Sequence, residues 1–422
     1  MTPSLPPPRV LFVCANRLNF NGGAKVETVQ LVHALAQTGA CVGLLIDNDS
    51  PNIHPAVKRF TLSFAPKRSA SIRHEIRIAL KHFKPDVIHV IGAGVRTARA
   101  VEKVCTQVPW LITLHNLCPH EYDVPWCVGK NRRWRFLRNL RFSPITQLWR
   151  GVLRRARYAN AICHSQHIID LAIHRGVPAH QTTLIPLTLN ESNRSSNPTP
   201  ASLFPPQTTP RLTSVGGFSH RKGFHDAIRA VAQLTPTFPH LHYALIGGRQ
   251  SVPYANALKR LIKTLGLTQH VSLHFDVPAS LKQSTLAAAD LYLQPSHEEG
   301  FCLAFLEAAR ITPRLLGTTT GAMAEMTASD DHGTVVNTRR PDLLALQAER
   351  LLRKPIPEHL LANRCDHLAQ HFGLTAYVNQ HLNLFTQLAQ RSTPCGAAPH
   401  LDFSKTATPT FRTVLLQKGN LR

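Results

Sequence analysis

The chain has 422 residues, too many for one ordinary hydrophobic core, so its length predicts two domains. Its nine cysteines are scattered without paired spacing, which favours reduced thiols over a disulfide framework. The formal net charge of +24 predicts attraction to polyanions without choosing among nucleic acid, anionic lipid and phosphorylated substrates. No apolar stretch is long enough to serve as a leader or to span a bilayer, so we expect a cytoplasmic protein.

Short apolar runs alternate with amphipathic stretches in the first half, a rhythm typical of βαβ units and a parallel sheet. We expect a buried strand at residues 10–15, followed by Gly22, Gly23 and a helix that ends near Gly39. Further strands are predicted at residues 42–46, 86–91, 110–115 and 160–165. These elements predict an N-terminal domain over residues 1–190.

Residues 191–210 are rich in Ser, Pro, Asn and Thr and are predicted to be an interdomain linker. The βαβ rhythm then restarts in a C-terminal domain over residues 211–370. Its predicted strands lie at residues 211–217, 243–248, 290–296 and 314–319, and a predicted helix lies near 224–234.

After that domain we predict a helix at residues 371–390 that returns to the N-terminal domain, and a mobile tail at 391–422. The predicted fold class is therefore α/β, with two Rossmann-like parallel-sheet domains facing a cleft. The carboxyl ends of the strands should line that cleft, because open parallel sheets bind ligands there.

Two glutamates, Glu299 and Glu307, stand on either side of a predicted strand-to-helix junction in the segment PSHEEGFCLAFLEAA, residues 295–309. With a helix beginning near Leu303, both carboxylates can face one ligand at the helix N-terminus, where backbone N–H groups favour a diphosphate. A carboxylate also accepts the paired hydroxyls of a ribose or a hexose. The spacing alone more often reflects solvated helix charges, so the surrounding motif has to decide.

A lysine, Lys222, precedes Gly223 in a second segment, SVGGFSHRKGFHDAI, residues 214–228. The pattern places this lysine in a loop between a strand and a helix, where its charge can neutralise a leaving diphosphate. In a basic protein a single lysine is usually only a solvated charge, so this assignment also depends on the motif.

Both segments resemble retaining glycosyltransferase family 4, a family with the GT-B fold. The first is similar to the family pattern P-S-x-x-E-G-F-G-x-x-x-x-E-A, with Cys302 where the family usually has glycine. The second is similar to V-G-R-x-x-x-x-K-G-x-x-x-L-I, with Gly217 at the usual arginine position, for which Arg221 or His220 can compensate. The matching segments follow the family's order from residue 10 to about residue 390.

The resemblance implies a role for each residue at a matching position. Glu299 is expected to contact the donor sugar near the reacting centre, Lys222 to stabilise the leaving diphosphate, and Glu307 to hold the nucleotide ribose. The remaining donor-binding positions in this half are Arg221, Gly300, Phe301, Cys302, Leu303 and, in a loop similar to the family's G-G-x-x-E, Glu325.

The N-terminal half contributes two weaker matches. Gly22 and Gly23 resemble the family's glycine loop near the donor phosphates and the acceptor, although such a pair is more often only a turn. His115, at the end of a predicted strand, aligns with the family's histidine that faces the donor sugar. A single histidine at a strand end is more often structural, so this match depends on the rest of the pattern.

The resemblance implies a reaction that needs no cofactor, no metal ion and no protein nucleophile. The donor diphosphate leaves on the face that the acceptor hydroxyl attacks, and its phosphate takes the acceptor proton. The protein then contributes positioning and charge stabilisation. Cys118, His120 and Cys127 match no common zinc-ligand spacing, so we interpret them as loop residues.

The segment at residues 130–158 contains ten Lys and Arg residues and no acid, with five aromatic residues among them. Such a segment suits an anionic membrane surface, which predicts a peripheral location at the inner face of the cell membrane. It could also bind RNA by stacking and phosphate contacts, or be merely a solvated basic face.

The sequence as a whole favours a hexosyltransferase-type enzyme that uses a nucleotide-sugar donor and a lipid-linked glycan or polysaccharide precursor as acceptor. Three alternatives remain. They are a sugar-nucleotide 2-epimerase, which the glutamate motif disfavours, a basic nucleic-acid-binding protein, and a GT-B scaffold that has lost catalysis, which the departures at Gly217 and Cys302 leave open.

Overall fold

The computed structural model describes residues 7–14, 23–46, 53–61, 69–91, 95–115, 117, 160–188, 201–248, 252–328 and 332–391. The chain forms two compact units. Of the described residues, those up to 117, those from 160 to 188 and those from 372 onward belong to the first unit, and residues 201–371 belong to the second.

The first unit is a parallel sheet with helices between its strands. Its elements are β1 (Val10–Cys14), α1 (Gly23–Gln37), β2 (Val42–Ile46), β3 (Lys58–Thr61), α2 (Ser69–Phe83), β4 (Val87–Ile91), α3 (Val95–Val104), β5 (Trp110–Leu114), β6 (Asn160–Cys163), α4 (Gln166–His174) and β7 (Thr182–Leu184). The strand order is β3-β2-β1-β4-β5-β6-β7. Val10 is in register with Val42 on one side and with Val87 on the other. The strand order therefore reverses beside β1, as in doubly wound nucleotide-binding sheets.

The second unit repeats this plan with six strands. Its elements are β8 (Arg211–Val215), α5 (Phe224–Leu234), β9 (His242–Gly247), α6 (Val252–Thr264), β10 (Val271–Phe275), α7 (Ala279–Ala288), β11 (Leu291–Leu293), α8 (Leu303–Ala309), β12 (Leu315–Thr318), α9 (Met323–Met326), β13 (Gly333–Val336), α10 (Pro341–Arg353) and α11 (Leu360–Phe372). All its strands are parallel, in the order β10-β9-β8-β11-β12-β13. The order reverses beside β8, so the ends of β8 and β11 lie at the position where such sheets bind ligands.

The central strands are apolar because helices cover both faces of each sheet. Every residue of β1, β2, β4 and β5 is buried, and so is every residue of the short strand β11. The predicted α/β class with two Rossmann-like parallel-sheet units is confirmed.

The last helix, α12 (Leu374–Arg391), packs on the first unit against α1 and β4. The ring of Phe385 lies edge-on to that of Phe12, with 6.1 Å between the ring centroids. Tyr377 donates a hydrogen bond of 2.9 Å from its hydroxyl to Glu27. The C-terminal segment thus supplies buried side chains to the first sheet.

The basic segment at residues 130–158, the turn residue Gly22, and Cys118, His120 and Cys127 lie outside the described residues. Among the helices of the described ranges, none is both long enough and apolar enough to cross a bilayer.

Candidate functional site

Two loops meet at the carboxyl ends of β8 and β11. The turn His220–Lys222 follows β8, and Gly223 then begins α5 with a left-handed backbone, φ 66°. A Cβ atom added at Gly223 would lie 1.9 Å from the carbonyl oxygen of Pro295 in the loop after β11. The His297 amide donates a 2.7 Å hydrogen bond to the Arg221 carbonyl. The two predicted motifs are therefore held together by backbone contact.

Glu299 is the buried charge at this junction. It is 6% exposed, and its carboxylate accepts hydrogen bonds from Lys222 Nζ at 2.5 Å and Ser296 Oγ at 2.8 Å. Arg221 Nη1 lies 3.4 Å from its second oxygen. Burial by itself would raise the pKa of Glu299, but the charges of Lys222 and Arg221 outweigh burial and lower that pKa to about 2. The structure thus brings together three of the predicted site residues around one ionised carboxylate.

Buried polar side chains continue from Ser296 into the sheet. Tyr292 donates from its hydroxyl to Gln294 Oε1 at 2.6 Å, and Gln294 Nε2 donates to Ser296 Oγ at 2.8 Å. All three are buried, so Ser296 has a fixed orientation toward Glu299. Sequence reasoning identified Ser296 as part of the motif but missed Tyr292 and Gln294, which read as ordinary strand residues.

Glu307 lies near the end of α8 with its side chain 31% exposed and pairs with Lys282 Nζ of α7 at 2.6 Å. Ion pairs at this degree of exposure are worth roughly 0–1 kcal/mol, so a ligand can displace the lysine at small cost. Lys282 was not among the predicted site residues, because a lone lysine on a helix gives no motif.

Gly300, Phe301 and Cys302, which are predicted to bind the donor, lead directly into α8, which begins at Leu303 as predicted. Cys302 has a left-handed backbone, φ 85° and ψ 70°. This geometry explains why a glycine is usual there, since a side chain in this conformation costs about 1–2 kcal/mol. Burial raises the pKa of the Cys302 thiol to about 12, so the thiol stays protonated.

A third loop closes on the same place. Gly321 has φ 62°, and a Cβ added there would lie 2.7 Å from the Phe301 carbonyl oxygen and 2.9 Å from Glu299 Cβ. Ala322 donates its amide to the same carbonyl at 2.9 Å. Glu325, the remaining predicted residue of this loop, lies half-buried in α9.

Beneath these loops lies a cluster of histidines around Asp226, in the first turn of α5. His297 Nε2 is 2.7 Å from one oxygen of Asp226, and Arg229 donates to the other at 3.1 Å. His225 Nδ1 pairs with the Tyr254 hydroxyl at 2.8 Å. Sequence reasoning missed this cluster, whose members give no motif when read along the chain.

We expect the second unit to lose stability in mild acid because His225 is buried as the neutral imidazole. Its pKa is lowered to about 3, mainly by burial and also by the charges of His220, His297 and Arg229, while Asp226 acts in the opposite direction. The unfolded chain, with a histidine pKa near 6.5, binds more protons between pH 6.5 and 3, so stability falls as the pH falls through that range.

At pH 5 the loss from this one histidine is about 2 kcal/mol relative to pH 7.5. Urea unfolding of wild type and of His225→Gln at both pH values measures this loss of stability. The variant should show a smaller acid loss, and an identical pH dependence of both proteins would contradict the assignment.

In the first unit, Gly23 is the first residue of α1, and His115 follows the last residue of β5. His115 Nδ1 lies 2.9 Å from Glu27 Oε2, and His164 Nε2 lies 3.1 Å from Glu27 Oε1. The structure therefore places the predicted His115 beside a buried carboxylate. Sequence reasoning missed Glu27 and His164, which belong to no motif in the sequence.

Comparisons with known proteins agree with this architecture. A family model for glycosyl transferases group 1 matches residues 196–370, and one for glycosyltransferase family 4 matches residues 21–192. A lipopolysaccharide core biosynthesis mannosyltransferase, LpcC of Rhizobium leguminosarum bv. viciae, is 30% identical over 125 residues. That match spans 29% of this chain and only 34% of the relative.

Solved structures share the fold over nearly the whole chain. Sucrose-phosphate synthase from Thermosynechococcus elongatus superposes with a TM-score of 0.68 at 20% identity, covering 91% of this chain and 100% of that one. A glycosyltransferase from Rickettsia africae ESF-5 gives 0.66 at 15% identity, with 90% and 98% covered. Anabaena Alr3699/HepE in complex with UDP and glucose gives 0.62 at 16% identity, with 90% and 100% covered.

The resemblance is confirmed by the family models, of which one matches residues 196–370, where both motifs lie, and the other residues 21–192. Because these two family models match residues 21–192 and 196–370, the chain belongs to the glycosyltransferases of the group 1 and family 4 type, and its two parallel α/β units have the GT-B architecture.

Proposed function

We propose that this enzyme is a retaining glycosyltransferase that moves a sugar from a nucleotide-sugar donor to a lipid-linked glycan or polysaccharide precursor. The observation that carries the proposal is the buried contact between Lys222 and Glu299 inside the two family motifs. Two similarities support it: Anabaena HepE was solved with UDP-glucose, and LpcC is named a lipopolysaccharide core mannosyltransferase.

In this proposal Lys222 stabilises the leaving diphosphate. Its ammonium group has three donors, and the Glu299 contact uses one of them, so two can serve phosphate oxygens. Arg221, whose side chain is 29% exposed, adds a second positive charge at the same carboxylate. Cations fixed before the reaction stabilise the charge that develops on the leaving group without further reorganisation.

Glu299 stays ionised across the physiological range and offers acceptor oxygens to a sugar hydroxyl. We assign it to orientation of the donor sugar, with the leaving phosphate accepting the proton of the acceptor hydroxyl. This step needs no protein nucleophile, cofactor or metal ion. The acceptor assignment draws on the basic segment at residues 130–158, which would bring the enzyme to an anionic membrane surface.

We assign Glu307 to binding of the nucleotide ribose. Its carboxylate would give up the contact with Lys282 and accept hydrogen bonds from the two ribose hydroxyls instead. Replacing Glu307 by glutamine should weaken nucleotide binding about tenfold or more, because a hydrogen bond to a charged group contributes roughly 1.5–3 kcal/mol. Calorimetric titration with UDP, GDP and ADP measures the effect.

A matched control is Glu349→Gln, which removes an exposed carboxylate paired with Arg353 at 2.9 Å on α10 of the same unit. That variant should bind nucleotide like wild type. Equal affinity of Glu307→Gln and wild type would show that Glu307 does not hold the ribose.

A further inference from the structure

Three polar side chains meet in the first unit at the carboxyl ends of β5 and β6. Glu27 comes from α1, His115 follows β5 and His164 follows β6. The side chains of Glu27 and His164 are 2% and 1% exposed, whereas that of His115 is 19% exposed. Glu27 therefore pairs with both histidines inside the protein, and His115 is the more accessible of the two.

The Glu27 carboxylate uses a different oxygen for each histidine. Oε1 lies 3.1 Å from His164 Nε2 and also accepts a 2.9 Å hydrogen bond from the Tyr377 hydroxyl of α12. Oε2 lies 2.9 Å from His115 Nδ1. Burial alone would raise the pKa of Glu27, but the charges of His164 and His115 outweigh burial and lower that pKa well below its usual range. Glu27 is therefore an ionised carboxylate with one oxygen committed to His115.

His164 supplies the positive charge that balances this carboxylate. Its Nδ1 lies 2.8 Å from the backbone carbonyl of Ile185, which can only accept, so Nδ1 carries a hydrogen. Burial by itself would lower the pKa of His164, but the Glu27 charge and the Ile185 contact outweigh burial and raise it. The protonated ring then presents a second N–H to Glu27. Because His164 balances the single negative charge, His115 can pair with Glu27 as a neutral ring.

This pairing determines what His115 offers to a ligand. A carboxylate beside Nδ1 can only accept, so Nδ1 carries the hydrogen and, in the neutral ring, Nε2 is an acceptor. Nε2 is buried, and it has no hydrogen-bond partner among the residues that the structure describes. Buried polar atoms are nearly always paired, and open parallel sheets bind ligands at the carboxyl ends of their strands. The missing partner of Nε2 is therefore expected to be a hydroxyl group of a bound ligand.

We propose that Glu27 is a positioning residue, which holds His115 with its hydrogen on Nδ1 so that Nε2 accepts a hydrogen bond from a hydroxyl of the donor sugar. Tyr377 acts one step further back, because its hydrogen bond to Oε1 aims the carboxylate. The C-terminal helix α12 thereby contributes to the site through Glu27. The contact with the sugar rests on the proposed transferase function, whereas the position of the hydrogen on His115 is a property of the free protein.

The first test is nitrogen-15 NMR of the full-length protein with labelled histidines, at about pH 8, above the ordinary histidine pKa. The signals of His115 are those that disappear in His115→Ala. Wild type should show one tautomer, with the hydrogen on Nδ1, and Glu27→Leu should release the ring into a mixture of tautomers. The control Tyr243→Phe removes another buried hydroxyl, which is bonded to Ser214 in the second unit, and should leave His115 unchanged. A hydrogen on Nε2 in wild type would overturn the proposal.

The second test is kinetic and separates positioning from folding. Glu27→Leu should lower kcat about thirtyfold or more, whereas Glu27→Gln keeps an oxygen that can accept from Nδ1 and should stay within about threefold of wild type. Neither change should alter the affinity for the free nucleoside diphosphate, which carries no sugar.

In a His115→Ala background, Glu27→Leu should cause no further loss of kcat, because the two residues act as one unit. Additive losses, or a Glu27→Gln variant as slow as Glu27→Leu, would overturn the proposal. If wild type consumes no nucleotide sugar, the transferase function fails, and the NMR experiment still decides whether Glu27 holds His115.

Discussion

Replacing Lys222 by alanine should lower turnover of the nucleotide-sugar donor by a factor of about 10²–10³, the usual cost of removing one preorganised donor from a developing charge. The lysine is 8% exposed and lies 2.5 Å from Glu299. Its removal takes away the cation assigned to the leaving diphosphate. It also leaves Glu299 with the Ser296 hydrogen bond and, as a cation among the described residues, with the more distant Arg221 at 3.4 Å.

Because a buried carboxylate that loses its closest cation is costly, the same variant should be destabilised by roughly 3 kcal/mol. Thermal unfolding must therefore accompany the kinetics. The double variant Lys222→Ala/Glu299→Gln removes the orphaned charge and should recover stability without recovering turnover. The control variant Lys259→Ala removes an exposed lysine on α6 and should leave both the stability and the turnover of the enzyme unchanged. Turnover of Lys222→Ala within twofold of wild type would transfer the leaving-group role to Arg221.

Gly223→Ala should destabilise the second unit by about 3 kcal/mol or more. Its Cβ would lie 1.9 Å from the carbonyl oxygen of Pro295, so the loops after β8 and β11 would have to separate. Neither atom is at the end of a flexible side chain, and the strain would fall on backbone. Since these loops carry Lys222 and Glu299, nucleotide binding should fall along with stability.

The chain supplies a close control in Gly266→Ala. Gly266 has φ 68°, nearly the same backbone as Gly223 at 66°, but nothing lies within 4 Å of an added Cβ. Its replacement should cost only the left-handed strain, about 1–2 kcal/mol. Urea unfolding of both variants isolates the effect of the clash. Equal losses in the free energy of unfolding would show that the loops after β8 and β11 do not pack as described.

The sequence predicted the central strands of both sheets and missed all four edge strands, β3, β7, β10 and β13. The central strands are buried on both faces and are therefore continuous apolar runs. β7, β10 and β13 are partly exposed, so their apolar pattern is interrupted. β3 reads KRFT and begins with two charges, as is common at sheet edges.

The site was predictable to the extent that its residues are close in sequence. Glu299 and Lys222 were found because each lies in a compact motif. Tyr292 and Gln294, which orient Ser296, and Lys282, which pairs with Glu307, lie in or beside a strand or a helix. Side-chain direction there depends on packing, which a pattern of residue types does not reveal.

Groups assembled across the sheet were beyond the reach of sequence patterns. Glu27, His115 and His164 come from separate elements, and only the parallel strand order brings β5 and β6 side by side. His225, Asp226 and His297 illustrate the same limit in the second unit, because the contact of the two loops creates their cluster.

The most direct test is a thermal-unfolding screen of the purified protein against a panel of nucleotide sugars, with release of the nucleoside diphosphate measured for each donor that binds. We expect at least one donor to raise the unfolding midpoint of wild type by several degrees and to be turned over. Its effect should be reduced in Glu307→Gln, and its turnover should be lost in Lys222→Ala. If no nucleotide sugar stabilises or is consumed by the protein, while nucleic acid binds in a salt-sensitive manner, the transferase assignment of the Lys222–Glu299 site is contradicted.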